Sequence, residues 1–235
     1  MSKTPLYIIP ARGGSKGIPR KNIKNFAGTP LIHYSIDVAR KLSDDKHIIV
    51  STDDNEIADV ARQTGLAVNY MRPADLATDT AGSREVMIDA MDWADKNGID
   101  YDMIVLLQPT SPLRTVEDVK GCIDIYNRDL DMVVSVVDAQ SNPYYNCFET
   151  DPETGFLHIS KGAGLYTRRQ DAPKAWEYNG AVYVINPKSL RDKPMGKFTK
   201  RIPYEMPRER SVDLDTLTDW IIAEMIYKQN NADND

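Results

Sequence analysis

The sequence predicts an α/β domain built on a mostly parallel sheet with helices on both faces. Short apolar runs rich in Val and Ile alternate along the chain with segments of helix length. The runs are almost continuously apolar, as expected for strands that are covered on both sides. With 235 residues, 41% of them hydrophobic, the chain can bury a core of this kind. We therefore expect one domain spanning residues 1–235.

Six apolar runs are expected to form strands. They are 6–10 (LYIIP), 47–51 (HIIVS), 66–70 (LAVNY), 103–108 (MIVLLQ), 132–137 (MVVSVV) and 180–185 (GAVYVI). Helix-length segments lie between the first five, which is the spacing of parallel strands joined by crossover helices. Ligands of such sheets bind beyond the carboxyl ends of the strands.

The helices between these strands have recognisable starts and buried faces. Asp53 with Glu56, and Thr115 with Asp118, have the spacing of a capping box. Val86, Ala90, Trp93 and Ala94 recur at helical spacing and predict one apolar stripe. We interpret that stripe as core.

Residues 138–179 interrupt this alternation. The segment is rich in turn-forming residues and suggests one hairpin across residues 151–155 (DPETG). A long irregular excursion inside a compact domain is usually functional. We therefore expect residues 138–179 to be an insertion that serves assembly or substrate binding, and we call it the arm.

Charge and cysteine usage limit the class of protein. The net charge is −6, but residues 1–36 contain six Lys or Arg and no acidic residue, which favours a small polyanionic ligand over nucleic acid. Cys122 and Cys147 lack metal-ligand spacing, as a reducing compartment allows. No signal-like segment opens the chain, and no apolar run approaches the roughly 18 residues of a membrane span. We expect a cytoplasmic protein that binds no membrane.

Residues 12–24, called the cradle below, have the composition of a phosphate-binding loop. Their glycines let backbone N–H groups approach an anion closely, and their cations supply charge. The glycines are Gly13, Gly14 and Gly17, and the cations that supply charge are Arg12, Lys16, Arg20 and Lys21. It matches neither the Walker A pattern nor GxGxxG. We expect a triphosphate here; a solvated basic turn is the alternative.

Four segments resemble the acylneuraminate cytidylyltransferases, the CMP-sialic acid synthetases. They are IPARGGSKGIPRKNIKNFAGTPLIHYSIDVA, RPADLATDTAGS, LLQPTSPLR and SVDLDTLTDW, in this order. The resemblance implies a Rossmann-like nucleotidyltransferase fold of three layers, with an inserted segment that makes a homodimer. It also implies transfer of CMP from CTP to a nonulosonic acid with Mg²⁺ as cofactor, releasing pyrophosphate.

The resemblance also implies roles for residues in these segments. Arg12, Gly13, Ser15, Lys21 and Asn22 match triphosphate-binding positions, and Arg72 and Ser83 match positions that read the base and nucleoside. Gln108 would contact the sugar, above a floor formed by Pro109, Thr110 and Ser111, and Arg114 would be structural. Two alternatives stay open: Arg72 as a surface arginine beside a helix, and Ser83 as a helix N-cap.

Asp213 and Asp215 form a candidate metal site. In an extended segment the side chains of residues two apart point to the same side, so both carboxylates would face one way. A carboxylate pair facing a nucleotide triphosphate suits Mg²⁺. Asp215 could also be the N-cap of the following helix, and both interpretations can hold together. We expect Arg12, Lys21 and Asp215 to be catalytic. The three histidines, His33, His47 and His158, are interpreted as structural.

The arm contains the candidate residues for recognition of the sugar acid. Arg168 and Arg169 in the arm are candidates to bind the sugar carboxylate, and each could act in the partner subunit of a dimer with shared sites. Many relatives carry a lysine shortly after a His-Pro pair here, whereas this chain has Asn142 before Pro143 and no nearby lysine. Sialic, legionaminic and pseudaminic acids are not separated by this pattern. The alternatives are a cytidylyltransferase for the eight-carbon acid KDO and a non-catalytic nucleotide-binding module.

Overall fold

The computed structural model describes residues 3–14, 17–78 and 80–232. Its strands are β1 (Pro5–Pro10), β2 (Asn25–Phe26), β3 (Thr29–Pro30), β4 (Ile48–Ser51), β5 (Met103–Leu106), β6 (Met132–Asp138), β7 (Phe148–Thr150), β8 (Leu157–Ile159), β9 (Trp176–Ile185) and β10 (Arg201–Glu205). Its helices are α1 (Leu31–Arg40), α2 (Asn55–Arg62), α3 (Ser83–Lys96), α4 (Val116–Ile125), α5 (Pro187–Asp192) and α6 (Leu217–Ala232). Within these ranges no helix is both long and apolar enough to cross a bilayer.

The central sheet has six strands in the order β10-β6-β9-β5-β1-β4. β1 pairs in parallel with β4 and β5, and β10 pairs in parallel with β6. β9 lies between β5 and β6 and runs antiparallel to both. The sheet is therefore mostly parallel, as expected, with one reversed strand near its centre.

Helices cover both faces of this sheet and make the three layers. Tyr7 and Ile9 of β1 pack on one face with α1, α2 and α4, while Leu6 and Ile8 pack on the other face with α3 and α5. Alternate residues of one strand thus enter two separate cores, which explains why the run is continuously apolar. A third cluster joins α6 to the cradle through Ile18 and Trp220.

Three local expectations were wrong. Residues 66–70 form no strand; Leu66, Val68 and Tyr70 are buried, but their backbone joins no sheet ladder. The N-cap of α2 is Asp54 rather than Asp53, and its side chain accepts from the Glu56 and Ile57 amides. The strand β10 was not foreseen, because its burial is low and Pro203 lies within it.

Other expectations are confirmed. Thr115 and Asp118 form a reciprocal capping box at the start of α4. Val86, Ala90 and Ala94 are buried on α3. The arm contains the hairpin expected across residues 151–155, built from β7 and β8.

Candidate active site

The cradle follows β1 at the carboxyl edge of the sheet and is held there by close backbone contacts. The Gly13 amide donates to Asp53 Oδ1 over 3.0 Å. A Cβ at Gly13 would lie 2.7 Å from Asp54 Oδ2, and a Cβ at Gly17 would overlap the Asp215 carbonyl oxygen. Glycine is therefore required by space at Gly17, where the obstacle is backbone, whereas a larger residue at Gly13 would have to displace the Asp54 side chain. The predicted phosphate ligand Ser15, and Lys16 beside it, lie outside the described residues.

Two of the predicted cradle cations point toward a common opening. Arg12 Nη1 donates to the Thr78 carbonyl over 3.1 Å. Lys21 Nζ donates to the Leu214 carbonyl over 2.6 Å and lies 3.4 Å from Asp215 Oδ1. The Asn22 side-chain amide donates to the Arg12 carbonyl over 3.0 Å, so this predicted ligand also braces the loop.

Two adjoining clefts open at this edge, and they share Pro10, Arg12 and Gln108. The first, of about 270 Å³, is also lined by Arg72, Leu76, Thr78, Ala81, Ser83, Val86 and Leu106. The second, of about 280 Å³, is also lined by Gly17, Lys21, Asn22, Pro109, Thr110 and Asp215. Most of the predicted nucleotide residues among those described are therefore brought together around one continuous site.

Arg72 and Ser83 face the first cleft. Arg72 is 7% exposed, so it is not a surface arginine. Its Nε donates to Ser51 Oγ over 3.0 Å and its Nη2 to the Ser51 carbonyl over 2.7 Å, and burial lowers the pKa of its guanidinium. Ser83 is the first residue of α3, with Gly82 at the N-cap position and no side-chain cap. The interpretation of Ser83 as N-cap was thus wrong, and its exposed side chain lines the cleft.

The floor beneath Gln108 rests on a buried cation. Arg114 Nη1 donates to the Gln108 and Ala181 carbonyls over 3.1 and 2.7 Å, and its Nη2 donates to Ser35 Oγ over 2.5 Å. Burial lowers the pKa of Arg114 to about 10. Arg114 therefore supports the strand end that presents Gln108, as the structural role expected for it requires.

Asp213 and Asp215 differ sharply in environment. Asp213 Oδ1 is buried without a hydrogen-bond partner, and burial, together with the charge of Asp215, raises the pKa of this carboxyl. The Asp215 side chain is 75% exposed. The Asp215 amide donates to the Asp213 carbonyl over 3.0 Å, so the segment makes a tight turn. The expectation that it is extended, with both carboxylates on one side for that reason, was therefore wrong.

The start of α6 decides whether Asp215 is a cap. Thr216 and Asp219 exchange hydrogen bonds in the manner of a capping box: the Asp219 amide donates to Thr216 Oγ1, and the Thr216 amide to Asp219 Oδ2. The interpretation of Asp215 as N-cap was therefore wrong. The Asp215 carboxylate is therefore available to bind a ligand in the second cleft.

The carboxylate pair fits a hard cation. An unpartnered buried oxygen on Asp213 and an exposed carboxylate on Asp215 are the oxygen ligands that Mg²⁺ takes, with water and phosphate completing its shell. Among residues 3–14, 17–78 and 80–232 no cluster of three or more His, Cys, Asp or Glu could hold a metal. A cation here would therefore depend on ligands from the substrate.

Arg168 and Arg169 line neither cleft of their own chain. Arg168 Nε donates to Asp171 Oδ2 over 2.6 Å, and Arg169 Nη2 to Asp138 Oδ2 over 3.0 Å. Arg169 lines a separate depression on the arm with Asn142 and Lys174. The predicted role of these arginines in the partner's site remains a prediction.

The histidines lie away from both clefts. His33 Nε2 bonds to the Val60 carbonyl, His47 is the last residue of the short helical turn before β4, and His158 is exposed on the arm hairpin. Sequence reasoning missed Asp53 and Asp54 as partners of the cradle. The one available signal was their place directly beyond the β4 strand end, the edge where ligands bind.

The chain is similar to several known proteins. A family model described as Cytidylyltransferase matches residues 6–233. An N-acylneuraminate cytidylyltransferase of Streptococcus agalactiae is 37% identical over 92% of this chain, but the match spans only 52% of that protein, about half its length. A CMP-N,N'-diacetyllegionaminic acid synthase of Legionella pneumophila is 34% identical over 96% of this chain and 97% of its own.

A solved structure shows the same fold at lower identity. CMP:2-keto-3-deoxy-manno-octonic acid synthetase complexed with CTP aligns with a TM-score of 0.66 and 17% identity, covering 97% of this chain and 100% of that one. At this identity the likeness establishes the fold of the described chain.

Proposed function

Since the chain belongs to the cytidylyltransferase family, we propose that it transfers CMP from CTP to the anomeric hydroxyl of a nonulosonic acid and releases pyrophosphate. The sugar would be N-acetylneuraminate or a close relative such as legionaminic or pseudaminic acid. The names of the Streptococcus and Legionella relatives support this class of acceptor. The protein would act as a homodimer with shared sites.

The observation that carries the proposal is the junction of the two clefts at Arg12 and Gln108. The first cleft offers the buried arginine Arg72, whose guanidinium can donate to the acceptors of cytosine. The second cleft offers Lys21, which suits phosphates, and the Asp215 carboxylate, which suits a cation. A nucleotide lying across the junction would place its α-phosphate beside Gln108.

In the proposed reaction the hydroxyl oxygen of the sugar attacks the α-phosphorus of CTP. The bond from that phosphorus to the oxygen bridging to the β-phosphate breaks, and pyrophosphate leaves with the electron pair. Arg12 and Lys21 would stabilise the charge that develops on the leaving group. The hydroxyl proton would pass to water, since the three histidines of the chain all lie outside both clefts.

Asp213 and Asp215 would hold Mg²⁺, which when bound neutralises phosphate charge and favours ionisation of the attacking hydroxyl. Asp213 needs its carboxylate ionised for this, although burial favours the protonated form. Arg72 and Ser83 would orient the nucleoside so that the α-phosphate faces the sugar. Gln108 would hold the sugar on a floor stiffened by Pro109.

The test is pyrophosphate release from each of CTP, UTP, ATP and GTP, with and without each sugar acid. We expect release from CTP with a nonulosonic acid and Mg²⁺, and poor turnover of the other nucleotides. Equal turnover of all four would contradict the assignment of cytosine. Turnover with KDO and with no other sugar acid would show that KDO is the acceptor. CTP binding without pyrophosphate release would indicate a non-catalytic binding module.

A further inference from the structure

The two acidic residues at the start of α2 contact both limbs of the cradle. Asp53 Oδ1 accepts the Gly13 amide on the first limb over 3.0 Å. Asp54 accepts two hydrogen bonds from the Arg20 guanidinium on the second limb, the longer one 3.2 Å from Nη2 to Oδ1. The loop is therefore closed against one end of one helix.

Arg20 is predicted as a cradle cation, but its charge is directed elsewhere. Its guanidinium also pairs with Glu56, so one cation faces two carboxylates of α2. Arg20 lines neither of the two clefts, whereas the next residue, Lys21, lines the second. Two unneutralised carboxylates beside a polyanion site would repel the ligand, and Arg20 removes that repulsion.

The backbone of Arg20 adds a second observation. Its φ is 56°, a left-handed conformation that side-chain-bearing residues adopt at an energetic cost. The Arg20 carbonyl accepts the Ile23 and Lys24 amides over 3.1 Å each, which begins the short helical turn Lys21–Ile23. The conformation of Arg20 thus sets the direction in which Lys21 and Asn22 leave the turn.

We propose that Arg20 is a positioning residue: its ion pairs with Asp54 and Glu56 hold the cradle in the conformation that binds a nucleotide triphosphate. This inference rests on the proposed function for its ligand. The side chain does not touch the phosphates. It acts through the left-handed turn that presents Lys21, and it keeps the carboxylates of Asp54 and Glu56 neutralised.

The variants separate the side chain from the backbone. Arg20→Gly removes the ion pairs and relieves the cost of the left-handed conformation, whereas Arg20→Ala removes the ion pairs and keeps that cost. Arg20→Lys keeps the charge but not the paired geometry. Asp54→Asn removes the partner's charge and keeps the cap of α2, because Asn and Asp are equivalent N-caps. Arg62→Ala, which removes the same charge from the last turn of α2, is the matched control.

The first measurement is hydrogen exchange of residues 12–24 without ligand, which does not depend on the function. We expect residues 12–24 to exchange faster than in wild type in Arg20→Gly, Arg20→Ala and Asp54→Asn. In Arg62→Ala their exchange rates should equal those of wild type. Unchanged exchange in Arg20→Gly would overturn the proposal, since the side chain would then hold nothing. If wild type fails to bind CTP, the proposed function fails separately, and the exchange result alone decides whether the ion pairs order the loop.

The second measurement is the Kd of CTP by calorimetry, together with kcat and KM. We expect Arg20→Gly and Arg20→Ala to raise the Kd and KM for CTP on the order of tenfold, with kcat at saturating CTP nearly unchanged, and Arg20→Lys to recover part of the loss. Adding Asp54→Asn to Arg20→Ala should recover only part of the affinity, because it removes one of the two unneutralised carboxylates but does not restore the ion pair that orders the loop. A fall in kcat with an unchanged KM would mean that Arg20 acts on the transition state, and would overturn the proposal.

Discussion

The carboxylate of Asp213, which we propose as a metal ligand, has an energetic cost for folding. One of its oxygens is buried and has no hydrogen-bond partner, and the pKa of the carboxyl is raised chiefly by burial. A group whose folded pKa lies above its unfolded value destabilises the fold when ionised, so stability should increase as the pH falls through the folded pKa. This is the opposite of the usual behaviour of Asp, and it is typical of a group placed for binding.

Asp213→Asn should therefore raise the Tm of the metal-free protein at neutral pH and abolish most activity. The amide is isosteric and carries no charge, so the repulsion from Asp215 disappears as well. Thermal scans with and without Mg²⁺ check this without an activity assay. The wild type should gain Tm with Mg²⁺ and CTP present, and the variant should gain much less. A lower Tm in the metal-free variant would contradict this account.

Asp215 can be tested separately from the helix that follows it. Asp215→Asn should reduce kcat on the order of 10² or more, because the metal would lose an anionic ligand. Its Tm should change little, since the cap of α6 is made by Thr216 and Asp219. Thr216→Ala is the matched control and should cost about 1 kcal/mol of stability with kcat retained. An Asp215→Asn variant that is unstable but fully active would refute the metal role.

At the scale of elements, the sequence predicts periodicity better than pairing. Thr115 and Asp118 could be recognised because both halves of the capping box lie within four residues. The choice between Asp53 and Asp54 could not, since either could cap α2 until tertiary contacts assigned Asp53 to the Gly13 amide. Residues 66–70 have the alternation of a strand and bury Leu66, Val68 and Tyr70, but they pair with neither edge strand of the sheet, β4 or β10, in the described fold. The residues of β9 likewise do not predict that it runs antiparallel to its neighbours.

Asp131 joins three elements at the other end of the sheet. Just before β6, it is nearly buried and accepts hydrogen bonds from Ser189 Oγ of α5, from Lys193 Nζ and from the Thr199 and Lys200 amides before β10. These donors hold the pKa of Asp131 well below its usual range, with the Ser189 hydroxyl the largest contributor. The edge strand β10 is fixed to the sheet through this carboxylate.

Asp131→Asn should destabilise the protein by on the order of 3 kcal/mol at neutral pH, because charged hydrogen bonds are lost and a buried amide must replace them. For a depressed folded pKa the stabilisation is present above the unfolded pKa near 4 and is lost as the pH falls further. Urea unfolding of both proteins between pH 7 and pH 3 measures this. The stability difference should shrink at the acid end, and a constant difference would contradict the linkage.

At the scale of the molecule, the arm carries exposed apolar side chains. Phe156, Leu157 and Leu165 are 77%, 69% and 81% exposed in the single chain. Apolar groups grouped on one excursion are typical of a surface that another molecule covers. The arm arginines also lie outside the clefts of their own chain. Both observations favour the predicted two-fold dimer with shared sites.

Subunit exchange tests that prediction. Arg12→Ala should inactivate the cradle, and the double variant Arg168→Ala/Arg169→Ala should inactivate the arm. If each arm completes the partner's site, mixed dimers regain one intact site. With random exchange of equal amounts, about a quarter of wild-type activity should return. Activity that stays at the level of the separate variants, despite proven exchange, would show that each arm serves its own chain.

Much of the site could be foreseen because its residues cluster in four short segments, each at a strand end or helix start. What the sequence could not supply is the assembly between segments. The close approach of Gly17 to Asp215, and of Gly13 to Asp54, depends on the placement of β4 and α6 around the cradle. The engagement of Arg20 by α2 is hidden for the same reason, since a cation in a basic loop looks like a phosphate ligand until its partners are seen.

The position of β9 delays completion of the sheet while the chain is being synthesised. This strand completes the middle of the sheet, but it leaves the ribosome some 70 residues after β5, with the whole arm translated in between. Until Ile185 has emerged, β5 and β6 each present an open edge. Nascent chains arrested before this point should be sensitive to protease and dependent on chaperones, and chains arrested well beyond it should become protected. Protection before β9 emerges would mean that another segment temporarily occupies its place.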